Sequence, residues 1–349
     1  MTGFRLKSGG LINRSKQVTF SFDRRIYRGF EGDTLASALI ANGVMLMGRS
    51  FKYHRPRGPV TAGSAEPNAL VEVGEGARRE PNVRATMLEI SDGLTTKSQN
   101  RWPSLKFDIG AVNQSIAPFL VAGFYYKTFM WPKSFWEKVY EPIIRKAAGL
   151  GTASHEPDPD RYEKAYTHCD VLVIGSGPAG LSAALSAART GARVIIADES
   201  TRLGGSLLFE DQKINGLSCL AWADAAINEL KELENVQILT RTTVFGRYDG
   251  NVYGALERVQ KHVTDPDNNK PAERNLRIFT RQTILASGAQ ERPLVFGGND
   301  HPGVMQAGAV REFVVRYGVS PGRCAVIFTN NSSGYATARC LAENGVPVA

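Results

Sequence analysis

Three glycines, at 175, 177 and 180, follow the apolar run Asp170-Val-Leu-Val-Ile174. A second apolar run, Arg193-Val-Ile-Ile-Ala197, ends on Asp198, 18 residues after the last of them. Strand, glycine turn, helix, strand and acid form the sequence that a dinucleotide requires. Gly175 permits a tight turn, Gly177 lets backbone approach a pyrophosphate, and Gly180 lets helix and strand pack closely. The helix opening at Pro178, with Ala179 and Gly180 in its first turn, aims unpaired N–H groups and a positive dipole end at the phosphates. Asp198 stands where a carboxylate accepts hydrogen bonds from an adenosine ribose. Glu199 beside it adds charge that opposes the extra phosphate of NADP, although Arg202 offsets part of this. NAD and FAD present the same ADP half to such a turn, so spacing alone leaves both open.

The elements that position these residues are legible on either side. Val18–Phe22 and Arg25–Arg28 alternate around Asp23-Arg24 and predict a hairpin. Asp33 is placed as N-cap of a helix carrying Leu35, Ala38 and Leu39, and Asn42-Gly43 stops it. Strands are expected from Val44 to Leu46 and over Ala69–Val73, which together make a β-grasp. Residues 92–165 are aromatic-rich, broken by prolines, and read as a connector with one helix near 134–148. Beyond them a helix over Leu217–Leu233 precedes strands near 236–240, 243–248 and 252–259, expected as a small meander. Thr283–Ala289 reads as the return strand. Cys324–Gly334 looks like a second nucleotide turn, but Thr329 and Asn331 replace the first two glycines, so this second site is expected to be empty. The expected fold class is α/β, with domains 1–91, 92–165 and 166–349, the last incomplete because Pro347-Val-Ala349 falls at the start of a strand.

Composition narrows the function classes. Hydrophobic residues make up 42% and charged residues 22%, which fits globular domains. No run reaches the ~18–20 apolar residues of a membrane span, and the N-terminus lacks a signal-type apolar core. A cytoplasmic setting is therefore expected, and four cysteines without metal spacing read as free thiols. The net charge of +8 sits in residues 1–60, with eleven Lys/Arg against three Asp/Glu. A partner surface or an anionic cofactor fits that bias, and no nucleic-acid motif accompanies it.

Several strings are more specific than the glycine turn: Gly32-Asp-Thr-Leu-Ala-Ser-Ala-Leu39, Arg49-Ser-Phe-Lys-Tyr-His-Arg-Pro-Arg-Gly58, Glu66-Pro-Asn-Ala-Leu70, Gln99-Asn-Arg-Trp-Pro103 and Gly123-Phe-Tyr-Tyr-Lys-Thr-Phe-Met-Trp-Pro132. With these the chain resembles the alpha subunit of heterotetrameric sarcosine oxidase. The resemblance implies an oxidoreductase acting on a CH–NH donor with oxygen as acceptor. It would convert sarcosine to glycine with H2O2 production and release the one-carbon unit as formaldehyde or pass it to tetrahydrofolate. It implies beta, gamma and delta partner subunits, NAD on this chain, and FAD and FMN in the beta subunit with the FMN at the shared boundary. A related FAD-binding amine or opine dehydrogenase subunit and a purely structural docking subunit are the alternatives.

The resemblance places Gly175, Gly177, Pro178, Ala179 and Gly180 at the pyrophosphate and Asp198, Glu199 and Ser200 at the ribose. Gly204, Gly205 and Ser206 form a closing loop, Val244 meets the adenine edge, and Ser287 and Gly288 lie at the far end. It names no catalytic residue; His54 and Lys52 are only near candidates for a flavin. The front module also resembles 2Fe–2S ferredoxin-like domains, but Thr61, Glu66 and Ala69 occupy cysteine positions. Residues 1–168 contain no cysteine, so neither an iron–sulfur cluster nor another metal is expected. The aromatic run 124–136 and Phe51–Arg57 are the expected subunit contacts.

Overall fold

A computed structural model of the chain describes residues 3–119, 123, 129–263, 266, 267 and 269–349. The chain divides into two compact units, Met1–Asp158 with Arg292–Ala349, and Pro159–Glu291.

In the first unit β1 (Asn13–Phe22) and β2 (Arg25–Glu31) form the expected hairpin. Asp23 and Arg24 turn it with φ of 49° and 65°, the left-handed backbone that a two-residue hairpin turn requires. Helix α1 (Leu35–Ala41) is buried along its whole length. Its N-cap is Thr34, one residue later than expected, and Thr34 and Ser37 close a reciprocal capping box. Asp33 has a different task. Its buried carboxylate receives Arg5 Nη2 at 2.6 Å, Ser37 Oγ at 2.7 Å and the Phe30 N–H at 2.9 Å.

The stretch expected as a strand at 44–46 is irregular; a short ladder forms instead between β3 (Gly48–Arg49) and β4 (Pro56–Arg57). With β5 (Leu70–Val73), β6 (Glu80–Arg84) and β7 (Leu94–Ser98), the main sheet has the order β2-β1-β7-β5-β6. β1 and β7 run parallel at its centre, and the helix packs between β2 and the core, which makes a β-grasp. The sheet therefore takes in residues beyond 91. Among the described residues of the connector, α2 (Glu141–Ala148) is the longest helix.

Residues Arg292–Ala349 share this unit. Phe313, Tyr317 and Val319 are buried in one apolar cluster with Phe20, Leu35, Leu39 and Val71. Burial pushes the Tyr317 hydroxyl and the Glu312 carboxyl above their usual ranges. A helix over Ser333–Glu343 follows the Thr329 turn. A Cβ on Gly334 would lie 2.6 Å from Thr329 Cγ2, and Thr329 Oγ1 donates to the Asn331 carbonyl at 2.9 Å. Side-chain atoms thus fill the turn where a glycine would leave room.

In the second unit β8 (Tyr162–Ile174) leads through the glycine turn into α3 (Pro178–Ala188) and β9 (Val194–Ala197). A short hairpin, β10 (Lys213–Ile214) with β11 (Leu217–Ser218), precedes α4 (Cys219–Glu232). The sheet continues with β12 (Val236–Leu239), β13 (Thr242–Tyr248), β14 (Val252–Arg258) and β15 (Glu273–Leu285), in the order β12-β9-β8-β15-β14-β13. β12 pairs in parallel with β9, so it extends the parallel side of the sheet and does not belong to the meander. β13, β14 and β15 form the antiparallel part, and β15, longer than the expected return strand, lies parallel to β8 over both its halves. Leu181, Ala184 and Leu185 of α3 pack with Ala223, Ile227 and Leu230 of α4, Val173 and Ile196 on one face of this sheet.

Candidate functional site

The first glycine turn joins β8 to α3. Gly175 has φ +98°, and a Cβ there would collide with the Ala286 carbonyl just past β15. A Cβ on Gly180 would collide with the Gly175 carbonyl. These two glycines therefore allow turn, helix and return strand to close on one another. Gly177 differs: a Cβ there meets nothing within 4 Å. Its absence keeps open the space in front of the helix, whose N-cap carries no side-chain hydrogen bond. The first-turn N–H groups of α3, those of Ala179 and Gly180 among them, have no carbonyl one turn back to bond; Pro178 has none to offer. Open space bordered by N–H donors fits a pyrophosphate.

One buried hydroxyl organises the turn. Ser176, the residue between the first two glycines, is 1% exposed. Its N–H and Oγ donate to Asp198 Oδ2 at 2.7 and 2.6 Å, and its Oγ accepts from the Gly204 N–H at 3.2 Å. Asp198 Oδ1 accepts the Ser200 N–H at 2.8 Å. Asp198 thus clamps the end of β9 to the glycine turn, with three of its four or so acceptor positions engaged. Sequence reasoning overlooked Ser176; a hydroxyl inside the glycine motif, paired with an acid at the next strand's end, was the available signal. The Glu199 carboxylate, half-buried, has no hydrogen bond or ion pair to a described residue.

The remaining expected residues fall around this turn unevenly. Gly205 lies against it, its Cβ position 2.9 Å from Gly177 Cα, and Ser206 is exposed beside it. The Arg241 and Thr242 N–H groups donate to the Ser200 and Asp198 carbonyls at 3.0 and 2.8 Å. This laces β13, the edge strand that carries Val244, to the acid segment. Ser287 and Gly288 are exposed just beyond the Ala286 contact.

Elsewhere, His54 does not stand as a free base. It is 8% exposed, and its Nδ1 lies 2.7 Å from the buried Asp108 Oδ2. Arg55 and Arg57, expected at a subunit surface, both bind Asp300 of their own chain, Arg55 Nη2 at 2.7 Å. Burial alone would raise the Asp300 pKa, but the Arg57 and Arg55 guanidiniums hold it below the usual carboxylate range. Of the aromatic run, residues 124–128 lie outside the described residues, while Trp131 and Phe135 are exposed.

Two family models match, a "2Fe-2S iron-sulfur cluster binding domain" over residues 15–101 and a "FAD dependent oxidoreductase" over 170–210. A sarcosine oxidase subunit alpha from Rhizobium meliloti (strain 1021) is 61% identical over 348 residues, 100% of this chain and 35% of that protein. Over its whole length the chain is similar in sequence to sarcosine oxidase alpha subunits. A second one, from Corynebacterium sp. (strain U-96), is 36% identical over 98% of this chain and 31% of its own length. The chain thus spans about a third of the length of these relatives. An L-proline dehydrogenase from P. horikoshii shares the fold, with TM-score 0.64 and 20% identity over 100% of this chain and 55% of that one. An N-terminal ferredoxin-like domain and a flavoprotein-type nucleotide-binding domain are the two parts of this architecture. No helix among the described residues is long and apolar enough to cross a membrane.

Proposed function

We propose that this chain is the dinucleotide-holding part of an alpha subunit in a sarcosine oxidase complex, with NAD bound at the first glycine turn. The complex would oxidise sarcosine to glycine, reduce oxygen to H2O2, and release the one-carbon unit as formaldehyde or pass it to tetrahydrofolate. Beta, gamma and delta subunits would complete it, with FAD and FMN held outside this chain except where the FMN meets the shared boundary. The observation that carries the proposal is the 61% identity over the whole chain, supported by the open, N–H-lined space at Gly177.

In this reading the N–H groups of Gly177, Ala179 and Gly180 hold the pyrophosphate, with Gly205 and Ser206 closing over it. Glu199 accepts from the ribose, while Asp198 keeps Ser176 and Ser200 in place, and Val244 borders the adenine. Bound NAD would in principle supply hydride chemistry; in this reading it serves instead as a fixed ligand. The purified complex should consume oxygen on addition of sarcosine and should release one NAD per alpha chain on denaturation. Absorbance at 340 nm should not rise during turnover. A complex without sarcosine-dependent oxygen uptake would remove the assignment.

The match to a FAD-dependent family over 170–210 favours a second reading, FAD at the same turn. Chromatography of the released nucleotide separates the two.

A further inference from the structure

The segment matched to a 2Fe–2S domain contains the spacing of a plant-type cluster loop, two positions five apart and a third three further on. Those positions are Thr61, Glu66 and Ala69. The cluster does not fit this chain: its first cysteine is Cys169, and threonine and alanine offer no thiolate to iron. No group of three or more possible metal-ligating side chains occurs among the described residues.

What occupies the centre of the loop is a carboxylate. Glu66 is 2% exposed. Its Oε2 accepts the N–H groups of Val60 and Thr61, both at 2.8 Å, and lies 3.3 Å from Thr61 Oγ1. Its Oε1 accepts the N–H groups of Asn68 and Ala69 at 2.8 and 3.0 Å. Four backbone donors from both arms of the loop therefore converge on one anion, forming an anion-binding concavity. Thr86, 1% exposed, fastens the loop from the other side by donating to the Gly63 carbonyl at 2.7 Å. The Val60 carbonyl in turn accepts the N–H of Gln306, the N-cap of the helix Ala307–Val315.

We propose that the Glu66 carboxylate replaces the iron–sulfur cluster as the negative centre around which this loop folds. In cluster-bearing domains backbone hydrogen bonds to the sulfurs help define the site. Here a covalently attached side chain receives such donors, so the loop is held closed without metal and the domain carries no electron. The inference is independent of which dinucleotide occupies the glycine turn.

The test is made in the full polypeptide within its complex. Glu66→Ala leaves four N–H groups, those of Thr61 and Ala69 buried and those of Val60 and Asn68 partly buried, facing an empty space of carboxylate size. Its unfolding midpoint should fall by roughly 10 °C, and formate at about 50 mM should restore about half of that loss while shifting the unsubstituted protein by less than about 1 °C. Glu66→Gln fills the space but turns an NH2 towards two N–H donors; it should lose stability and gain nothing from formate. If Glu66→Ala fails to fold, the Gln variant decides by its midpoint. A wild-type midpoint in either variant, equal formate shifts in variant and parent, or iron with acid-labile sulfide near one cluster per chain would each overturn the proposal.

Discussion

Replacing Asp198 by Asn separates two acids that the sequence leaves side by side. The native carboxylate accepts three hydrogen bonds, from Ser176 N at 2.7 Å, Ser176 Oγ at 2.6 Å and Ser200 N at 2.8 Å. An amide keeps an oxygen at only one end. If that oxygen stays on Ser176, the new NH2 faces the Ser200 N–H and leaves it unbonded. The two surviving bonds lose their charge, about 0.5–1 kcal/mol each, and the orphaned donor costs a further 1–3 kcal/mol. We therefore expect Asp198→Asn to lower stability by about 3 kcal/mol. Glu199→Gln, which breaks no bond to a described residue, should stay within about 0.5 kcal/mol of the parent. Binding of ADP-ribose, the half common to NAD and FAD, should respond differently. Glu199→Gln should weaken it about tenfold, the equivalent of about 1.4 kcal/mol, by removing the charge proposed to face the ribose. Urea unfolding and titration calorimetry on the same preparations measure both quantities. If Glu199→Gln binds like the parent while Asp198→Asn keeps its stability and loses affinity, Asp198 is the ribose acid and the clamp argument is refuted.

The glycine turn predicts a second contrast: Gly177→Val should leave unfolding nearly unchanged yet abolish nucleotide binding, because its side chain enters open space. Gly180→Ala must instead displace the Gly175 carbonyl, so its unfolding midpoint should drop; equal midpoints for the two variants would count against this geometry. Of the thiols, Cys324 is exposed, whereas burial pushes the Cys169 and Cys219 thiols up. A chromogenic disulfide should therefore label Cys324 first and leave those two unlabelled until the protein unfolds. Hydrogen bonds from Arg193 hold the Asp170 carboxyl at about 2. Its ionised form favours folding above the ordinary Asp range, and that contribution is lost as pH falls through about 2. Carboxyl NMR that found Asp170 titrating near 3.8 would remove the Arg193 pairing.

The parts most legible in the sequence are those in which local chemistry and long-range packing agree. Asp23-Arg24 sits between two alternating strands, so the hairpin needs no distant partner to be predicted. The glycine turn is similar, since Gly175 must take a left-handed φ and Gly180 must leave room for the Gly175 carbonyl, both demands set within the motif. Errors arise where a tertiary contact claims a residue first. Asp33 is a good N-cap by type, but the Arg5 guanidinium holds it, and Thr34 caps the helix. Arg55 and Arg57 look like surface charge until Asp300, more than 240 residues later, is folded against them. Val236–Leu239 has meander-like spacing, yet its parallel pairing with β9 depends on α4 bringing the chain back to that edge.

Glu66 shows the same limit more sharply. Reading Thr61, Glu66 and Ala69 only as missing cysteines treats the three positions as equivalent losses. Their physics differs: Ala69 and Thr61 contribute backbone N–H groups, and Glu66 supplies the charge those groups need. A loop built to surround a negatively charged cluster exposes donors inward, and the buried Thr61 and Ala69 N–H groups without an acceptor would cost about 1–3 kcal/mol each. Loss of thiolates from such a loop therefore favours an acid at its centre, within reach of both arms. Position 66 meets that condition, with two donors on each oxygen. The same argument explains why the fold persists here while the ligands do not: the loop depends on a centred negative charge, and a carboxylate provides one without iron.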